Sequence, residues 1–65
     1  MDKYTYRVKW SEEDQEYVGL CDEFPSLSWL SPTQIEAFKG IIKTVAVVLD
    51  DIKSTGEDAP KPINN

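Results

Sequence analysis

The sequence predicts an α+β domain in two layers, with a three-stranded antiparallel sheet covered by one long helix in the order β-β-β-α. Three observations predict it. "YTYRVKW" alternates apolar and polar residues with period two. "EYVGLC" follows after a polar connection of hairpin length. From Ala37 onward the apolar residues instead recur every three or four positions, as on one face of a helix. Sixty-five residues suffice for one domain, taken as 1–65. A chain this small buries little surface and gains stability from a partner or a second copy.

The first strand is expected over 3–10, with Tyr4, Tyr6, Val8 and Trp10 on one face and Thr5, Arg7 and Lys9 on the other. The second is expected over 16–21. Pairing Trp10 with Glu16 aligns Val8 with Val18 and Tyr6 with Leu20 on the apolar face. Lys9 then meets Tyr17, Arg7 meets Gly19 and Thr5 meets Cys21 on the outer face. Pro25 interrupts the chain, and "SLSWL" gives a short third strand over 27–30, Leu27 and Trp29 on one side, Ser28 and Leu30 on the other.

The helix is expected over 32–54, with Ser31 as N-cap, Pro32 at the first helical position and Gln34 completing a capping box. Ala37, Ile41, Val45, Val48 and Ile52 form its apolar stripe, and Gly56 ends it as a left-handed cap. The polar stretch 57–65 contains two prolines. Both a brief edge strand around 59–63 and a frayed tail fit it.

Composition excludes several kinds of chemistry. With no histidine, the chain has neither a Ser-His-Asp nor a Cys-His centre, and it lacks the commonest transition-metal ligand. One cysteine, Cys21, cannot close an intramolecular disulfide. No cofactor and no metal site is expected. The longest apolar run, from Val45 to Leu49, is too short to cross a bilayer, and no cationic-apolar leader follows Met1. A cytoplasmic protein without membrane association is the expectation.

The net charge is −5, and the segment 11–23 holds Glu12, Glu13, Asp14, Glu16, Asp22 and Glu23 with no cation. Such a surface repels phosphate backbones and attracts basic partners, so direct nucleic-acid binding is not expected. Lys3, Arg7, Lys9 and Tyr17 on the outer face faintly suggest a stacking platform for RNA, outweighed by the overall charge. Candidate partner contacts are Glu12, Glu13, Asp14, Asp22, Glu23, Trp29 and Leu30. Trp29 reads either as a core plug or as an interface anchor. Val47, off the helical stripe, is the candidate oligomer contact. Asp50 and Asp51 diverge by about 100° around the helix and make no catalytic dyad.

The run "YTYRVKWSEEDQEYVGLCDEFPSLSWL", continuing into "SPTQIEAFKGI" and "GEDAPKP", resembles the HicB antitoxin family from about Tyr4 to Pro62. The resemblance implies a partial ribonuclease H-like fold. It also implies that the chain is the antitoxin of a type II toxin-antitoxin system. Its partner would be a HicA-like toxin, a small basic mRNA-cleaving ribonuclease with a catalytic histidine, neutralised by masking of the active site. Many members append a DNA-binding domain, and longer ones continue past the point where this chain stops.

Two other readings belong to different classes. One is an orphan regulatory or structural homodimer without a toxin. The other is a degenerate ribonuclease H-type nuclease, whose chemistry needs carboxylates gathered around metal ions, one of them on the first strand. The stretch from Tyr4 to Trp10 has no carboxylate, so no enzymatic activity is expected.

Overall fold

The computed structural model describes residues 3–63. Strand β1 (Tyr6–Ser11) pairs antiparallel with β2 (Glu16–Cys21), which pairs antiparallel with β3 (Ser28–Ser31). Helix α1 (Gln34–Thr55) crosses one face of this sheet, whose strand order is β1-β2-β3. The α+β arrangement expected from the sequence is therefore the one observed.

The register differs from expectation by one residue. Tyr6 pairs with Cys21, Val8 with Gly19 and Trp10 with Tyr17, while Arg7 pairs with Leu20 and Lys9 with Val18. The hairpin loop sets the slip. Ser11 pairs with Glu16, which shortens the loop to 12–15, and Gln15 turns the chain at φ 55°. The Gln15 amide donates to the Ser11 carbonyl at 2.8 Å, and the Ser11 hydroxyl donates to Asp14 Oδ2 at 2.8 Å. Because side chains alternate along a strand, a shift of one residue turns β2 over. Tyr17, Gly19 and Cys21 therefore face the helix, and Val18 and Leu20 face away.

Gly19 is the physical reason for this choice. A Cβ there would stand 2.4 Å from the Ala37 carbonyl oxygen and 2.9 Å from Ile41 Cβ. The helix rests directly on the backbone of the central strand, which no larger residue permits. Around this contact Ile41, Val45 and Cys21 are buried, joined by Tyr4, Tyr6, Phe24, Leu27 and Leu49. Ile41 and Val45 each stabilise the fold by about 1.5–3 kcal/mol through burial. Cys21, expected on the outer face, is a core residue whose thiol burial pushes upward in pKa. The expected outer-face group of Tyr17 with Arg7 and Lys9 does not form. Tyr17 meets Trp10 edge-to-face on the helix side, ring centroids 5.1 Å apart.

The helix start also differs from expectation. Thr33, extended at φ −123° and ψ 153°, is the N-cap and accepts from the Glu36 amide at 3.2 Å. Ser31 cannot serve, because it is still paired with Tyr17 in the sheet. It is buried, and its hydroxyl donates to Glu36 Oε2 at 3.2 Å. Glu36 thus lies in the first turn, where the helix dipole favours a carboxylate. At the other end Gly56, at φ 78°, closes the helix as expected. The Glu57 amide donates to the Ile52 carbonyl and the Gly56 amide to that of Lys53.

No strand forms within 57–63; positions 64 and 65 of the expected tail lie outside the described residues. The tail is fixed by side chains instead. The Tyr4 hydroxyl donates to the Pro60 carbonyl, and the Ile63 amide donates to Glu23 Oε2 at 2.8 Å.

Candidate functional site

The shifted register builds a surface that alternation alone assigned to the core. On the face of the sheet away from α1, Val18 lies between Lys9 of β1 and Leu30 of β3, and Leu20 lies between Arg7 and Ser28. Val18 and Leu20 are half-buried, Leu30 is 44% exposed, and among the described residues no strand or helix covers them. The result is an apolar centre with a cationic border along β1. At its corner Arg7 Nη2 meets Asp22 Oδ2 at 2.8 Å in a solvent-facing pair. Sequence reasoning missed Val18 and Leu20 as surface residues. The signal was Gly19 between them, since a glycine inside a strand marks the close approach of another backbone.

Trp29 and Leu30 fall on opposite faces, as the alternation of the third strand predicts. Trp29 lies opposite Gly19 and is seated on α1, where a Cβ at Gly40 would come within 2.1 Å of its ring. Even so it is 46% exposed. Its free side forms one wall of an apolar groove of about 260 Å3, the other being Lys43, Thr44, Val47 and Val48 of the helix. Val47, at 63% exposure, therefore belongs to the flank of α1 beside β3. Thr44 is occupied, its hydroxyl donating to the Gly40 carbonyl at 2.8 Å.

The acidic residues separate into two groups at opposite ends of the hairpin. Glu12, Glu13 and Asp14 form the connecting loop and are exposed. Glu12 Oε2 accepts from the Trp10 indole at 2.7 Å, and Asp14 is bonded to Ser11. Asp22 and Glu23 lie beyond the far end of β2 and differ sharply from each other. Asp22 faces Arg7 in water, whereas Glu23 is only 8% exposed.

Glu23 is a latch rather than a contact surface. Its Oε1 accepts from the Thr5 amide at 2.9 Å and from the Cys21 thiol at 3.5 Å. Its Oε2 accepts from Thr5 Oγ1 at 3.3 Å and from the Ile63 amide at 2.8 Å. Burial pushes the carboxyl upward, but the amides of Ile63 and Thr5 outweigh it and hold the pKa at about 2. Expected to meet a partner, this side chain instead joins the start of the chain to its tail.

Among the described residues no three potential metal ligands come together, and no helix is long and apolar enough to cross a membrane. Comparison with family models, with curated proteins and with solved structures finds no match to this chain. The geometry thus defines a small two-layer α+β module with an open apolar sheet face and an apolar groove at one edge.

Proposed function

We propose that this protein is a binding module of the antitoxin type, which docks on a HicA-like basic ribonuclease and covers its catalytic surface. One observation carries the reading: Val18, Leu20 and Leu30 form an apolar centre on a sheet face that no strand or helix among the described residues covers. A central apolar cluster surrounded by polar residues is the arrangement in which interface energy concentrates. The hairpin loop of Glu12, Glu13 and Asp14 lies at one end of the sheet, and with the chain's net charge of −5 it steers a cationic partner towards the molecule as a whole. The resemblance of residues 4–62 to HicB antitoxins supplies the partner class, together with the partial ribonuclease H likeness and a cytoplasmic setting.

The test is titration of the purified protein into a HicA-like ribonuclease with RNA cleavage as readout. Cleavage is expected to fall in proportion to added protein, and the two chains to co-migrate on gel filtration. Leu20→Glu and Leu30→Glu are expected to abolish both effects while leaving the circular dichroism spectrum unchanged. Undiminished cleavage with no co-migration overturns the proposal.

A further inference from the structure

On the helix side of the sheet, the edge formed by β1 carries a second apolar surface. Tyr6, Val8 and Trp10 share that face of the strand. Phe38 meets Tyr6 edge to face, ring centroids 6.2 Å apart, so the helix flank above β1 is the one that carries Ile35, Phe38 and Ile42. Trp10 is 45% exposed, Ile35 68% and Phe38 43%. Among the described residues no strand or helix lies over them.

One end of this strip is anionic. Helix α1 begins just after Ser31, which pairs with Tyr17, which in turn lies opposite Trp10. The turn of Ile35 is therefore at the Trp10 end. There the Trp10 indole donates to Glu12 Oε2 at 2.7 Å and meets the Tyr17 ring at 5.1 Å. The bond brings a carboxylate of the hairpin loop to the helix side, beside the aromatic pair. Among the described residues Glu12 Oε1 and the Glu13 carboxylate accept no hydrogen bond and form no ion pair. Two rings beside a carboxylate suit a guanidinium or ammonium group, through cation–π attraction and charge pairing.

We infer that this strip docks a basic amphipathic helix of a partner protein. An Arg or Lys of that helix sits in the corner of Trp10, Tyr17 and Glu12, and its apolar residues lie along Ile35 and Phe38. The cations of β1, Arg7 and Lys9, discourage an extended strand from adding to this edge, whereas a helix docks through side chains alone. Lys39, exposed and four residues after Ile35, repels a cation farther along. The partner helix therefore carries its basic residues at one end and its apolar residues beyond them. Nucleic acid and anionic membranes are repelled by the same acids, and a two-fold contact through this end would set those acids against each other. The strip lies across the sheet from Val18, Leu20 and Leu30 and is independent of docking there.

The probe is a synthetic helical peptide of about 18 residues, with arginines in its first turn and leucines along one face beyond them. It is titrated into the full chain while NMR follows the indole N–H resonances. That of Trp10 is expected to shift and that of Trp29 to stay in place. Glu12→Gln with Glu13→Gln is expected to weaken binding at least fivefold, and Ile35→Asp at least tenfold. Circular dichroism should not change, because all three side chains are exposed. Leu20→Glu is expected to leave peptide binding intact, which separates this surface from the open face. The same peptide with glutamates in place of its arginines is expected not to bind. The inference is overturned by the absence of a saturable shift up to about 1 mM peptide. Equal affinity of the wild type and the Glu12, Glu13 double variant overturns it too, as does a shift confined to Trp29. So does binding of anionic phosphatidylglycerol vesicles in preference to the peptide.

Discussion

The two faces of the central strand differ in a way that hydrophobicity alone does not decide. The face of β2 under the helix carries Tyr17, Gly19 and Cys21; the open face carries Val18 and Leu20, more apolar as a pair. The helix took the side that offers room. At Gly19 it approaches until the Ala37 carbonyl and Ile41 occupy the place of a side chain, and the aromatic and aliphatic residues of neighbouring segments close around that contact. Close packing over a bare backbone outweighs the burial of two branched side chains, which remain as an open apolar surface. The position of a helix is thus set by available volume as much as by the apolar stripe.

The largest effect that could break this contrast comes from Gly19. In Gly19→Ala the new methyl meets backbone rather than a flexible side chain, so the helix must lift. A loss of about 3 kcal/mol or more is expected in urea unfolding, since overpacking against fixed atoms is among the costliest single changes. An unchanged midpoint would mean that the helix does not rest there.

The acid limb of the stability profile comes next. Because hydrogen bonds lower the Glu23 pKa from the ordinary 4.5 to about 2, its contribution is fully present above the ordinary value. That contribution is lost as pH falls from about 4.5 towards about 2. Thermal melts of the wild type are expected to decline across that window, and those of Glu23→Gln to be lower at neutral pH and flatter below it. In the variant an amide group replaces one of the two acceptor oxygens, so the Ile63 or Thr5 amide loses its partner. Amide exchange at Ile63 reports the released tail directly.

A smaller effect separates the two candidate caps. Thr33→Ala is expected to cost about 1 kcal/mol through the lost bond to the Glu36 amide. Hydrogen exchange in the first helical turn should rise in step. Equal protection in Thr33→Ala and the wild type would return the cap to Ser31. The smallest change in stability is expected on the open face. Leu30→Ser should alter folding by less than about 0.5 kcal/mol, because its side chain is already 44% exposed. Its effect belongs to docking.

Much of this fold was legible. Period-two alternation located the first two strands, the break at Pro25 located the third, and Gly56 ended the helix where left-handed backbone is needed. The faces of β2 were not legible from apolar pattern, because register depends on whether Ser11 pairs or turns, and both conformations suit a serine. The cap was misplaced for a related reason. Both Ser31 with Gln34 and Thr33 with Glu36 have capping-box spacing, and only the length of the third strand decides between them. Of the candidate site, Trp29, Leu30 and Val47 do reach solvent, while Glu23 turned inward because an amide from the distant tail reaches it. A contact forty positions away in the chain leaves no local trace.

The most direct measurement is an NMR analysis of methyl contacts with a soluble paramagnetic probe. Methyl groups of Val18 and Leu20 should show nuclear Overhauser contacts to Leu30 and to the stems of Arg7 and Lys9, with strong broadening by the probe, while Ile41 and Val45 stay sharp. Contacts from Val18 or Leu20 to Ile41 or Val45, with both shielded from the probe, would place these residues under the helix and remove the open surface on which docking depends.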